Sequence, residues 1–381
     1  VPTGEHYDLV VVGGGISGLA TALYYQDRFG KEARILILEN HDDFGGHAKR
    51  NEFHQGGEMR LALGGVHNLE YESFSDTVDA MMDRLGIDIE ALKRETGFQY
   101  GEEGHGTHSL YFDAEHFGEN VLINDAMLFA RSLLRRPEIV AEMPLHPDTR
   151  ARLQRFVDRD TNVFEGQSRE EVERRLRSMS YFDFVQEFGG LDEECTRLFN
   201  NCLHGTEGPS VVNFSAMEGL ELGLPGWHLL GEGREAEPWE YPMVMFPDGN
   251  ASVARLMVQQ LIPAVAPGAN ADNIALASFA YDQLDRPGHA VRLRLNATVV
   301  RVRNAEAGVN VNYVRDGRVL GVSARHAVLA CYHSIIPHLC LDLPDTQREA
   351  QRYQVKMPLL LTNVLLRDSS AWDASGASDI W

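Results

Sequence analysis

The clearest pattern of apolar and polar positions lies at the start of the chain. Asp8–Val12 (DLVVV) and Arg34–Leu38 (RILIL) are continuous apolar runs of strand length. Between them, Leu19, Ala22, Leu23 and Phe29 recur at helical spacing. A glycine-rich turn, Gly13–Gly18 (GGGISG), separates the first run from the helix. The pattern predicts strand, turn, helix, strand: a βαβ unit whose uninterrupted apolar strands suit a parallel sheet covered on both faces. After a polar loop over 41–57 the period changes. Ser75–Leu85 predicts a helix capped at Ser75, with Val78, Met81, Met82 and Leu85 facing inward. Asn124–Leu134 and Ser168–Phe188 also read as helices, the second opened by SREE, a capping-box pattern. Ser215–Leu224 is a shorter helical stretch ahead of Pro225-Gly226. Strand patterns return late. Val291–Leu295, Thr298–Arg303, Gly308–Val314 and Ala327–Cys331 follow a turn at Phe246–Asn250 and a helix over Ser252–Leu261. The second and third of these strands pair as a hairpin, and Lys356–Arg367 predicts one more strand.

Composition narrows the class. A chain of 381 residues holds about two domains, and 44% hydrophobic with 24% charged residues is a globular balance. The richest apolar stretch, Val355–Leu366, is broken by Lys356, Pro358, Thr362 and Asn363, so no membrane span is expected. Acidic residues outnumber basic ones 56 to 35, for a net charge of −21, which argues against nucleic acid as a partner. It suits a cationic substrate and equally plain solubility. The four cysteines form no CxxC pair; Cys195 and Cys202 fall seven apart on one helix face, and buried thiols are expected. The chain opens at Val1 without Met, which is compatible with a removed leader. No internal repeat is visible.

The chemistry concentrates in the first turn. Gly13, Gly15 and Gly18 satisfy GxGxxG, with Gly14 and Ser17 between them. The first glycine allows a tight turn, the second a close approach of pyrophosphate to the backbone, and the third close packing of helix on strand. Glu39 stands twenty-one residues past Gly18, at the end of the second strand, where a carboxylate can accept both ribose hydroxyls and repel a 2′-phosphate. A dinucleotide is therefore expected, and not NADP. Glu39, Gly45-Gly46 and Arg50 then resemble the ExxxxxGG extension of glutathione-reductase-like flavoproteins, in particular the amine oxidase and dehydrogenase branch. His47 stands where that branch usually has arginine, so Lys49 or Arg50 would offset the phosphate charge.

The likeness extends along the chain. Leu63-Gly64-Gly65-Val66 resembles the pair that lies along the flavin ring in this class, and FPDGNASVARL the segment re-entering the FAD domain. Thr298–Val302, VNVNYV and the strand ending at Ala330-Cys331 resemble its returning strands, which implies that Val299 touches adenine through its backbone. HDDFGGHAKRNEF, FPDGNASVARLM, HAVLACYHSIIPHLC and QVKMPLLLTNVLLR together resemble the bacterial spermidine dehydrogenase group. This implies an α/β protein with a Rossmann-like FAD-binding domain built from residues 1–73 and 239–345. It also implies a largely helical substrate domain over 74–238 and the start of a further substrate segment at 346–381. Members of the group are longer, so the resemblance implies more substrate domain and a last FAD-contacting segment beyond Trp381.

The resemblance also implies an activity. It would be noncovalent FAD, a small-molecule amine such as spermidine, oxidation of its C–N bond, and an electron acceptor left open. A soluble protein of the bacterial periplasm is expected, with the cytoplasm as alternative. Lys356 or Arg367 would sit beneath the flavin and His67 would line the substrate cavity. Glu218 and Glu221 are candidates for holding the ammonium groups of a polyamine. His105 and His108 suggest metal only weakly, since no third ligand has suitable spacing, and no metal is expected. Some relatives use haem, but none of the fifteen histidines stands in an attachment motif. Alternative readings are a flavin-dependent desaturase of an apolar substrate, a non-catalytic binding protein of the same fold, and an NAD-linked dehydrogenase.

Overall fold

A computed structural model of the chain describes residues 1–96, 107–205, 207–231 and 243–381. The chain divides into two compact units. The first comprises Val1–Phe98, Tyr241–Lys356 and Leu361–Leu365, the second Gln99–Glu240, Met357–Leu360 and Leu366–Trp381.

In the first unit, β1 (Pro2–Val12) leads into α1 (Ile16–Phe29) and β2 (Ile35–Leu38), as the apolar pattern requires. β1 is longer than its apolar run; only its second half is buried. A hairpin follows, β3 (Arg50–Gln55) and β4 (Glu58–Leu63), then α2 (Asp76–Leu85) and α3 (Ile89–Thr96). The second unit contributes β5 (Thr107–Phe112) and β6 (Val121–Asn124). The chain then re-enters the first unit through the helix Ala251–Leu261 and the strands β7 (Val291–Arg294), β8 (Thr298–Ala305), β9 (Gly308–Arg315) and β10 (Arg318–Leu329).

The main sheet has the order β7-β2-β1-β10-β9-β8. β7, β2, β1 and β10 run parallel, and β9 and β8 extend β10 as an antiparallel meander. Alternation along β1 loads both faces. Leu9 and Val11 join Leu19, Leu23, Ile35, Ile37 and the helix Ala251–Leu261 in one core, while Val10 and Val12 join Leu36, Leu38, Val311 and Tyr313 in another. The parallel strands are thus buried on both sides, which is why they read as unbroken apolar runs.

Several expectations are corrected. The loop expected over 41–57 contains the whole of β3, which forms a hairpin with β4 turning on Gly56-Gly57, both at positive φ. A Gly-Gly dipeptide is a hairpin signal in its own right, and Met59, Leu61 and Leu63 alternate after it, but the preceding RNEFHQ carries a single apolar residue, Phe53. Met81, Met82, Leu85, Ile87 and Leu92 pack in the core of the first unit, so the first segment of that unit runs to residue 98 rather than 73. Lys356–Arg367 forms no strand; the segment is irregular, with Val355, Leu360 and Val364 exposed. An apolar stretch without a pairing partner has no ladder to join.

The second unit is mostly helical around its own core of Phe156, Phe184, Phe199, Leu153 and Leu176. It also carries a sheet of order β11-β5-β6, β11 being Ala377–Ile380, which sequence periodicity left unrecognised. Asn124 ends β6, and the helix expected from it starts at Ala130. The stretch 168–188 is two helices, Arg169–Ser178 and Tyr181–Glu187, because Ser180 caps the second through the Asp183 N–H. Ser168 forms the expected capping box with Glu171, Ser215 forms one with Glu218 that was not expected, and Ser75, expected as a cap, makes no side-chain cap bond. Cys195 and Cys202 are buried.

Candidate nucleotide-binding site

The end of β1 and the start of α1 define the site. Gly13 donates its N–H to Leu38 O at 2.9 Å and Ala330 its N–H to Val12 O at 2.8 Å, so three parallel strands end together. A Cβ on Gly13 would lie 2.4 Å from Ala330 O, and one on Gly18 would lie 2.0 Å from Gly13 O and 3.2 Å from Val11 Cγ1. Only glycine lets the turn close against the strand and the helix against the turn. Gly15 is the N-cap of α1, with no side-chain cap and no acidic residue in the first turn. The first-turn N–H groups, Ser17 among them, and the positive end of the helix dipole are therefore open to an anion.

Glu39 follows directly on β2 and is 3% exposed. Its Oε2 accepts the Gly14 N–H at 2.7 Å, and its Oε1 accepts the His41 N–H at 2.9 Å and lies 2.8 Å from His41 Nδ1. Its backbone is fixed too: its N–H donates to Arg294 O at 3.0 Å and its carbonyl accepts from Ala297 at 2.8 Å. The acid is thus pinned against the glycine turn, with His41 as a neighbour that no sequence signal indicated.

The second glycine pair meets the first. Gly45 donates to Gly14 O at 2.8 Å and bridges Gly15, while a Cβ on Gly46 would come within 3.1 Å of Gly15 Cα. Two backbone turns lie against each other with no side chain between them. His47 Nε2 lies 2.7 Å from Tyr332 Oη, two residues past Ala330. Gly64 and Gly65 pack beneath the same loop, where a Cβ would lie 1.8 Å from Lys49 O and 3.0 Å from His47 O respectively. Val299 is buried on β8 opposite Tyr313.

Other expected residues are engaged differently. Arg50 donates to Asp248 at 2.9 Å, to Glu52 at 2.5 Å and to Ala275 O. Burial works against its charge, but the bonds to Asp248 and Glu52 prevail and hold its pKa above the ordinary guanidinium value. Asp248 is itself fully buried and takes a 2.5 Å bond from Ser252 Oγ. It is a structural acid that the turn sequence FPDGN did not announce. His67 is half-buried with Nδ1 unpartnered, and burial lowers its pKa. Lys356 and Arg367 are exposed on the irregular segment 354–368. Glu218 is consumed by its capping box and Glu221 by Arg177 at 3.0 Å, which leaves neither as a free ammonium site. His108 Nδ1 pairs with Asp379 at 2.6 Å, and His105 lies outside the described residues.

Residues 11–85 match the family model described as an NAD(P)-binding Rossmann-like domain, in agreement with the glycine turn, the βαβ unit and the buried Glu39. The first unit is a Rossmann-like nucleotide-binding fold. A stretch of 94 residues, a quarter of this chain, is 32% identical to (S)-6-hydroxynicotine oxidase of Paenarthrobacter nicotinovorans, of which it covers 21%. Among solved structures, a redesigned triple mutant of putrescine oxidase aligns over 91% of this chain and 63% of its own, at 18% identity and a TM-score of 0.46. A fatty acid isomerase from P. acnes aligns over the same shares at 13% identity and a TM-score of 0.41. The chain therefore spans less than two thirds of these proteins. No helix among the described residues is long and apolar enough to cross a membrane.

Proposed function

We propose that the first unit holds FAD noncovalently and that the chain belongs to an amine-oxidising flavoenzyme acting on a polyamine such as spermidine. The observation that carries the cofactor assignment is the buried Glu39 carboxylate, fixed 2.7 Å from the Gly14 N–H beside an uncapped helix end. That combination fits an adenosine diphosphate: N–H donors for the pyrophosphate and an acid for the ribose hydroxyls. The second glycine turn against Gly15 favours FAD over NAD, because it adds a second stretch of backbone without side chains beside the phosphate-binding turn. Gly13, Gly14, Gly15, Ser17 and Gly18 would hold the phosphates. Gly45 and Gly46 would flank them, and Val299 and Ala330 would line the adenine side.

FAD so held supplies an acceptor for the hydride taken from a carbon beside a substrate nitrogen, after which water converts the imine to a carbonyl and a smaller amine. The chain's own part is to hold and orient. His67, half-buried with Nδ1 unpartnered and its pKa lowered by burial, would line the substrate cavity. Lys356 and Arg367 remain candidates for ordering a water near the reacting carbon. The shared stretch with a hydroxynicotine oxidase, an enzyme named for an amine-bearing substrate, supports this choice over desaturation of an apolar one.

The test is optical. The purified protein should carry an absorbance band near ~450 nm, as bound oxidised flavin does. Anaerobic spermidine should bleach it while a hydrocarbon should not. A colourless protein that cannot be reconstituted with FAD would overturn the cofactor assignment, and a coloured protein indifferent to every amine would overturn the substrate class.

A further inference from the structure

The first unit also contains a cavity of about 570 Å³, within the range of small-molecule sites. It is walled by the loop 43–52, the helix Ala251–Leu261 and the stretch 276–281. None of Gly13, Gly15, Gly18, Glu39, Gly45 or Gly46 lines it, whereas Lys49 and Arg50, expected beside the cofactor phosphate, face this cavity instead.

Its wall contains an incompletely matched buried cation. Arg255 is 6% exposed and its guanidinium lies 3.9 Å over the Phe279 ring. It donates through Nε to Ile274 O at 3.2 Å and through Nη2 to Ala277 O. A guanidinium has five N–H donors, and the rest find no acceptor among the described residues. The nearby acids are already engaged. Asp248 is held by Arg50 and Ser252, and Asp43 accepts from Tyr281 Oη at 2.8 Å and from the Phe44 N–H at 2.9 Å. Burial, with the like charge of Arg50, pushes Arg255 down to about 10. On the rim, half-buried Lys49 has no carboxylate partner among the described residues, whereas Glu52 is bound by Arg50. Beside these two cations stands an aromatic wall, Phe44 with ring centroids 5.9 Å from Phe279 and 6.0 Å from Tyr281.

Two cations without carboxylate partners and a flat aromatic wall in one cavity define a ligand. We infer that this cavity is a second binding site, for a small aromatic carboxylate whose carboxylate bridges Arg255 and Lys49 and whose ring packs on Phe44 and Phe279. A bidentate guanidinium–carboxylate pair completes the donor set that the backbone carbonyls leave open.

Isothermal titration of the purified protein with sodium benzoate tests this, with benzyl alcohol as the uncharged counterpart and inorganic phosphate as charge without a ring. Saturable, one-to-one benzoate binding is expected, with neither control binding. Lys49→Ala should weaken it about tenfold, the share of one charge-assisted bond. Arg255→Gln should abolish it. Because Arg255 is buried and its replacement also removes core hydrogen bonds, Lys49→Ala on the rim decides alone. No saturable heat with benzoate, or equal affinity in wild type and Lys49→Ala, would overturn the site. Phosphate binding without benzoate binding would overturn the aromatic class.

Discussion

The Glu39 carboxylate and the Gly14 N–H, twenty-five positions apart in the chain, meet at 2.7 Å in the protein interior. This contact fixes the acid at the tip of β2 against the turn that ends β1, so sugar-binding and phosphate-binding groups share one rigid support.

That contact makes Glu39 the residue on which flavin retention should depend most. Glu39→Ala removes the ribose acceptor and leaves the Gly14 N–H buried without its partner, a loss of about 1–3 kcal/mol for the protein alone. Protein-bound FAD per chain after gel filtration should fall at least about tenfold. Gly56→Ala, in the hairpin turn with nothing within 4 Å of the new Cβ, should keep its flavin. Equal flavin content in the two variants would remove Glu39 from the site.

Gly18 should tolerate no side chain. Its Cβ would sit 2.0 Å from a backbone oxygen that cannot swing away. Gly18→Ala should therefore cost about 3 kcal/mol or more. Gly86→Ala, in the left-handed helical region but in open space, should cost only about 1–2 kcal/mol. Urea unfolding midpoints of the two variants compare the costs directly.

Acid should weaken the first unit through Glu5. This carboxylate accepts from Arg292 at 2.6 Å and Arg294 at 3.0 Å. Burial raises its pKa, but the two guanidinium groups outweigh that and hold it at about 2, against an ordinary 4.5. A depressed carboxylate contributes stability in full above its unfolded value and loses it as pH falls through its folded one. Denaturant midpoints should drop between pH 4.5 and pH 2, and Glu5→Gln should flatten that part of the profile. An unchanged slope in Glu5→Gln would assign the acid sensitivity elsewhere.

The thiols should divide by unit. Burial pushes both Cys195 and Cys202 up to about 12, while Cys331 and Cys340 are half-buried and raised less. Thiolate is the reacting form. A disulfide reagent at about pH 8 should leave Cys195 and Cys202 unmodified in the native protein and label all four after unfolding. Mass spectrometry of the labelled peptides reads the result.

What the sequence made legible follows from physics. β1, α1 and β2 could be read because strands buried on both faces must be continuously apolar, and because the turn between them admits only glycine at Gly13 and Gly18. The capping box at Ser168 was legible for a similar reason, since both partners are local. The β3–β4 hairpin was not: Met59, Leu61 and Leu63 alternate after Gly56-Gly57, but β3 carries only Phe53 and both strands are largely exposed. The break at Ser180 was hidden, since the apolar residues on either side continue at helical spacing while the cap itself is one polar side chain. The pairing of Arg50 with Asp248 joins residues nearly two hundred positions apart, beyond the reach of any local pattern. Glu221 was misread for the same reason, its partner Arg177 lying 44 positions away, whereas the local capping box of Glu218 with Ser215 was readable and was overlooked.

The pairing of β1 with β10 has a consequence for how the protein is made. Thr3 bonds to Gly321, 318 positions away, and Val12 lies opposite Leu329. A chain leaving the ribosome exposes this apolar strand long before β10 is made and must keep it unpaired on that edge through the interval. Contacts of such separation form slowly, and the waiting edge invites aggregation. Expression at lower temperature or with a chaperone that shields nascent chains should raise the yield of native protein, because the interval between making the first strand and meeting its mate is built into the topology.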